Sequence, residues 1–178
     1  MIVVIPSVEH TGSRLVANHI FHSFQQINIA SETEAPYAKQ YEHVYANKME
    51  AFHRACKQHP VIIPMRHPIR CAWSWEQRQK PLDEYFKQWD SLQDLFVYDH
   101  AVIRVDLKER NEDLKAVNDK LGINVSTFWP YVGERAWPWV SENKPEVIPL
   151  ESCKLRNETE VLKYIDANKD FFEVYYGH

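Results

Sequence analysis

Residues 2–5 read Ile-Val-Val-Ile, an unbroken apolar run stopped by Pro6 and followed by Ser7-Val-Glu-His-Thr-Gly-Ser13. Apolar side chains at consecutive positions suit a strand buried on both faces, the strand type of parallel sheets. The pattern recurs. Residues 27–30 predict a second strand, closed by the polar segment 31–36. Residues 61–65 predict a third, in which Pro64 weakens the strand or places a bulge. Residues 101–105 predict a fourth.

Helical spacing fills the intervals. After Gly12-Ser13, apolar Leu15, Val16, Ile20, Phe21 and Phe24 share one side. Helices are predicted over 45–57 through Met49, Phe52 and Cys56, and over 69–78. A clear amphipathic helix spans 82–96 through Leu82, Phe86, Trp89, Leu92 (or Gln93) and Phe96. Another spans 109–121 through Leu114, Val117 and Leu121, with Gly122 as its stop. Asn157 and Glu160 predict a capping box opening a last helix that carries Leu162, Ile165 and Phe172. Residues 128–149, rich in Trp and Pro, keep no period. Strands alternating with helices predict an α/β fold: a three-layer sandwich around a parallel sheet of four or five strands, as a single domain over 1–178. Ligands of such sheets sit at the carboxyl ends of the strands.

Composition narrows the partners. At 178 residues, 44% hydrophobic and 13% aromatic, the chain affords a core without staples. A net charge of −4 argues against broad attraction to nucleic acid or an anionic membrane, so any anion site must be a local cluster of donors. Cys56, Cys71 and Cys153 are odd in number and far apart, which predicts reduced packing thiols in a cytoplasm-like setting. The apolar runs are too short to span a bilayer, and no basic segment followed by a long apolar stretch opens the chain.

Two segments point to an anionic ligand. The loop after the first strand ends in Thr11-Gly-Ser13 at a helix start, where backbone N–H groups face outward and Gly12 permits close approach. Compared with the triphosphate-binding pattern G-x-x-x-x-G-K-[ST], Ser7 stands at the first Gly, Gly12 fits the second, Ser13 replaces the Lys and Arg14 the magnesium-binding hydroxyl. That counts against kinase chemistry. The second segment is Met65-Arg-His-Pro-Ile-Arg-Cys-Ala-Trp-Ser74, in which Arg66 leaves a strand end and offers a planar fork of donors. Taken singly, the loop reads as an ordinary strand–helix connection and Arg66 as a surface ion-pair partner; both grips on one rim point to one phosphorylated ligand.

The Arg66-His-Pro … Ser74 spacing resembles the 3′-phosphate-binding motif of the sulfotransferases that use 3′-phosphoadenosine-5′-phosphosulfate. The loop His10-Thr-Gly-Ser-Arg14 resembles that family's Lys-x-Gly-Thr-[Arg/Thr] loop, and residues 102–107, followed by a helix ending Leu121-Gly-Ile123, resemble its structural Arg-Tyr-Glu-Asp-Leu … Leu-Gly stretch. The resemblance covers most of residues 1–123. It implies a P-loop nucleoside-triphosphatase-like fold and sulfuryl transfer from 3′-phosphoadenosine-5′-phosphosulfate to a small-molecule or glycan acceptor without a metal. It also implies a nucleotide held by His10, Thr11, Gly12, Ser13, Arg14, Arg66 and Ser74. His10 stands where the family has its loop lysine, and Gly133-Glu-Arg135 is the nearest counterpart of its late Lys/Arg-x-Gly loop.

Transfer needs a base for the acceptor proton. The resemblance places it after the second strand, where Glu32 and Glu34 stand, with His43 farther along; Glu34 is preferred, then His43, with His10 as a further catalytic group. His53 beside Phe52 reads as packing or surface. His19 and His22, one turn apart without a third ligand, read as chance and not as a metal pair. Trp129, Trp137 and Trp139 divide evenly between an acceptor wall and core closure. Two alternatives stand: a small-molecule kinase of the P-loop class, and a non-catalytic nucleotide-binding relative.

Overall fold

The computed structural model describes residues 2–20, 25–28, 33–35, 42–107, 109–127 and 148–177. The fold is α/β, and its strands pair mainly in parallel. Strand β1 (Ile2–Val3) continues through a bridge at Val4 into β2 (Pro6–Ser7). Helix α1 (Ser13–Ile20) follows, then β3 (Gln25–Asn28), β4 (Thr33–Ala35) and β5 (Glu42–His43). Next come α2 (Met49–Gln58), β6 (Val61–Met65), α3 (Pro68–Gln77), α4 (Leu82–Asp94), β7 (His100–Arg104) and α5 (Arg110–Leu121). Helices α6 (Glu158–Ala167) and α7 (Lys169–Tyr176) end the chain.

The first strand run is flanked on both sides. β1 pairs in parallel with β3, and β2 with β5, while Val4 bridges in parallel to Val61 at the start of β6. β6 and β7 pair in parallel from Val61↔His100 to Met65↔Arg104 without a bulge. The bulge anticipated at Pro64 is therefore absent, and pairing runs past Pro6 to Ser7. The two prolines explain each other. Val4 N donates to Pro60 O and Ile62 N to Val4 O, so residues 4 and 62 face one seam. By the period of two, Pro6 and Pro64 face that seam as well, each without a donor. The ladder between these strands stops at Val4, while the outer edges of both keep their bonds.

Alternate side chains sort into two cores. Val4, Val61, Ile63 and Met65 pack with Phe52 of α2, Cys71 and Trp75 of α3, Trp89 of α4, Val161 of α6 and Phe172 of α7. Val3, Ile5, Ile62, Ala101 and Ile103 pack with Val16 and Ile20 of α1 and with Leu114 and Val117 of α5. The three cysteines are buried and form no disulfide. Burial pushes the Cys56 thiol up to about 12. No helix among the described residues is long and apolar enough to cross a membrane.

Several boundaries differ from the sequence reading. The polar segment after the second strand contains β4, which pairs antiparallel with β3 through Ile27↔Glu34. The helix expected from residue 45 opens as a 3-10 turn over Ala46–Lys48. In α4 the buried face centres on Tyr85, Trp89 and Leu92, with Leu82 and Phe86 at its margins. The expected last helix is two helices, divided at Asn168. The capping box is not made, because Asn157 makes no side-chain cap. Buried Glu76 of α3 takes over: Oε2 accepts from Arg156 N at 2.7 Å, and Oε1 from Asn157 N at 2.9 Å and Nδ2 at 3.0 Å. A carboxylate from another helix takes the Asn157 N–H that Glu160 would meet in a capping box and engages the Asn157 side-chain amide as well, so the local exchange is not made. Gly122 does end α5 in the left-handed conformation (φ 63°), as its position predicts.

A candidate anion-binding turn and its supports

The turn between β2 and α1 is tight. Thr11 donates to Val8 O twice, through N at 3.3 Å and Oγ1 at 2.7 Å. His10 adopts φ 67° and Gly12 φ 81°. Left-handed backbone at a histidine costs about 1–2 kcal/mol, so the surroundings must hold it. They do so from three elements. Arg66, at the end of β6, donates from Nη1 to His10 O at 3.3 Å. Cys71 of α3 lies with Sγ 3.2 Å from Glu9 O, and Gln88 of α4 accepts from Glu9 N at 2.9 Å. Beneath Gly12 lies Val105, just past β7. The ends of three strand runs therefore meet at this turn.

Arg66 stands where the sequence places it, against the opening turn. It is 7% exposed, so its guanidinium is enclosed and not spread on the surface. Ser13 begins α1 and is buried; Arg14 is the next residue of α1, and its side chain lies outside the described part. Ser74 lies in mid-helix: α3 starts promptly at Pro68, so Ser74 is two turns in. Its helix neighbours face the turn, since Cys71 reaches Glu9 O and the Trp75 ring meets the His10 ring edge-on at 5.6 Å. Helical spacing puts Ser74 at the border of that face.

His10 Nε2 is buried and has no hydrogen-bond partner among the described residues. Burial, then the positive charges of Arg78 and Arg66 and the neighbouring His43, lower the His10 pKa to about 4. The imidazole is therefore neutral at pH 7. The cations that depress it are the same groups that would attract an anion to this spot.

Of the candidate bases, register favours His43. It pairs with Ser7 at the exit of the first strand, and Val44 N donates to Ser7 O at 3.0 Å. Glu34 pairs with Ile27, on the level of Val4, lower on the sheet than the turn. Its side chain lies outside the described part, as do Glu32, His22, Trp129, Gly133, Arg135, Trp137 and Trp139. His19 Nε2 donates to Ser126 O at 2.6 Å, and His53 Nδ1 lies 2.7 Å from Tyr98 Oη. No group of three metal-ligating side chains occurs among the described residues.

A second polar node braces the approach to α3. Asp106 is 2% exposed and accepts from His67 N at 2.9 Å, Arg70 Nη1 at 2.8 Å and Tyr176 Oη at 3.2 Å. His67 caps α3 by accepting from Ile69 N at 3.2 Å, ahead of Pro68 in the first turn. Burial lowers its pKa to about 4; Asp106 opposes that shift and Arg70 adds to it. Arg104 and Asp113 close a bidentate pair at 2.8 and 3.0 Å. Glu9 and Lys80 escaped the sequence reading, and Asp106 entered it only within the 102–107 stretch. The side-chain partners of these three lie 36–79 residues away, and no local pattern marks them.

Comparison with family models, with curated proteins and with solved structures gives no match.

Proposed function

We propose that the chain is a sulfotransferase that moves the sulfuryl group of 3′-phosphoadenosine-5′-phosphosulfate to a hydroxyl or amine of a small molecule or glycan. The observation that carries this reading is the seating of Arg66 on the turn, Nη1 to His10 O at 3.3 Å. It joins the two segments, 56 residues apart, that the motif requires to act together. In this reading residues 10–13 and the α1 N-terminus take the 5′ end of the nucleotide, and Arg66 with Ser74 takes the 3′-phosphate. His43 is the favoured base from its pairing with Ser7, and Glu34 the second choice. The strands are read as the parallel sheet of a three-layer, P-loop-like sandwich. Supporting this are the Val4–Val61 bridge that links the ladders and the two cores into which alternate strand residues sort.

What the residues supply is position and charge compensation. Sulfuryl transfer needs attacking and leaving oxygens in line and donors on the leaving side. Backbone N–H groups at the start of α1 and the Arg66 and Arg78 cations would meet that charge. The test is calorimetry with adenosine 3′,5′-bisphosphate against magnesium ATP, then transfer of labelled sulfate to a panel of acceptors. Preference for the bisphosphate together with transfer upholds the reading; equal or absent binding ends it.

One observation favours a second reading, nucleotide binding without transfer. His10 is held neutral at pH 7, so the turn lacks the charge that a lysine would bring. Bisphosphate binding with no transfer to any acceptor, and transfer gained by His10→Lys, would select it.

A further inference from the structure

Glu9 places a carboxylate in the turn assigned to anionic phosphate, one residue before His10. It is nearly buried, and its charge opposes any phosphate bound there. The surroundings compensate it closely. Oε1 accepts from Tyr45 Oη at 2.7 Å and from Gln88 Nε2 at 3.2 Å, and Oε2 is held by the Lys80 ammonium. Of these donors only Lys80 brings a positive charge.

Lys80 reaches Glu9 because of how α3 ends. Gln79 takes a left-handed conformation, φ 54°. Gln79 N donates to Glu76 O at 3.0 Å and Lys80 N to Trp75 O at 3.4 Å. These two crossed bonds form a Schellman turn, with glutamine where glycine is usual. The turn folds the Lys80 stem back over Trp75, its Nζ 5.2 Å from the ring centroid. Trp75 also carries the His10 ring on its edge. Glu9, Lys80, Trp75 and His10 thus form one packed cluster under the turn, assembled from two segments.

We propose that Lys80 is the specificity-determining cation of the turn: by neutralising Glu9 it lets the turn accept multiply charged phosphate ligands, and without it Glu9 repels them. The proposal rests on the reading that a phosphorylated nucleotide binds at this turn. Lys80 acts through Glu9, so the cost of losing it grows with ligand charge and vanishes once Glu9 is neutral.

The test is isothermal titration of the full chain and three variants, Lys80→Gln, Glu9→Gln and the double variant, with adenosine 3′,5′-bisphosphate and with uncharged adenosine. Lys80→Gln is expected to weaken the bisphosphate about tenfold and to leave adenosine unchanged, the effect of one uncompensated charge in a partly buried site. The double variant is expected to return to within about twofold of the parent, because the like charge has gone with its partner. Lys80→Arg, which keeps the charge, is expected to bind as the parent does. Bisphosphate affinity unchanged in Lys80→Gln, equal loss for adenosine, or no recovery in the double variant overturns the proposal while leaving the nucleotide reading intact. If Lys80→Gln does not fold, Glu9→Gln is read instead: tighter bisphosphate binding with adenosine unchanged upholds the proposal, because the Lys80 charge is then no longer offset by Glu9, and unchanged bisphosphate affinity overturns it. Absence of bisphosphate binding by the parent chain overturns both.

Discussion

Gly12 and Val105 touch so closely that no side chain fits between them: a Cβ on Gly12 would lie 2.8 Å from Val105 Cγ2. With φ at 81°, Gly12 also occupies backbone that other residues adopt only under strain. Gly12→Ala is therefore expected to destabilise the fold by about 2–3 kcal/mol, from left-handed strain plus overpacking. Urea denaturation checks this. In the double variant with Val105→Ala the clash is relieved, so the combined loss is expected to fall short of the sum by about 1 kcal/mol. Strict additivity would show that the contact carries no strain.

Arg66 has two duties that one measurement separates. Its bond to His10 O braces the turn, and in the proposed reading its guanidinium also takes the 3′-phosphate. Arg66→Ala is expected to weaken adenosine 3′,5′-bisphosphate by about 2–3 kcal/mol, the usual loss for a charge-assisted bond. Adenosine 5′-monophosphate, which lacks the 3′ group, is expected to bind nearly as before. Equal losses for the two ligands would mean that Arg66 serves the turn alone.

Sequence reading succeeded where the signal was local. The run at 61–65 is a strand buried throughout because consecutive apolar residues leave little else. The run at 2–5 supplies β1 and the Val4 bridge, residues 101–104 lie in β7 with alternate residues buried, and Gly122 stops α5 because its backbone turns freely there. Arg66 was legible because a strand end fixes where its side chain begins. The failures are non-local. Asn157 and Glu160 have capping-box spacing, yet Glu76 from 81 residues away supplies the cap. Pro64 makes no bulge because its missing N–H faces the seam with β2 and not the β7 ladder, which no local window reveals. Lys80 reads as one of many surface lysines until the Gln79 turn brings it onto Glu9. The placement of Ser74 two turns into α3 follows from His67 and Pro68 starting that helix at once.

Two histidines make stability depend on pH. His10 and His67 each have a folded pKa near 4 against an ordinary 6.5, mainly through burial. A base whose pKa is lowered by folding takes up protons more readily unfolded, so stability rises with pH across that interval. No penalty is expected above pH 6.5; one grows as pH falls and levels off near pH 4. The melting temperature is expected to drop over this window. His67→Asn, which keeps a side-chain acceptor for the α3 cap, is expected to flatten the profile. A variant profile parallel to the parent's would place the titration elsewhere.

The left-handed Gln79 is a local cost that can be removed without touching a contact. Glycine at this position meets no steric penalty, so Gln79→Gly is expected to stabilise the chain by about 0.5–1 kcal/mol, net of the entropy glycine adds to the unfolded state. Thermal denaturation at neutral pH reads the change. A loss of stability would show that the glutamine side chain makes a contribution larger than its backbone strain.

Glu76 holds the C-terminal helices to α3 through the backbone N–H groups of the two residues just ahead of α6. Its oxygens accept from Arg156 N, Asn157 N and Asn157 Nδ2, and its own backbone O accepts from Arg156 Nη2 at 3.5 Å. Removing the carboxylate leaves those donors without their partner at a site where Glu76 is buried. Glu76→Ala is expected to cost about 3 kcal/mol, at the upper end for hydrogen bonds to a charged group. The loss is expected to concentrate in α6 and α7, since Val161 and Phe172 are what they bury against the α3–α4 core. Hydrogen exchange is therefore expected to show amides of 158–176 losing protection before those of β6 and β7. Glu76→Gln, which keeps one acceptor oxygen, is expected to lose less than Glu76→Ala. Uniform loss of protection along the chain would mean that the C-terminal helices unfold only with the whole.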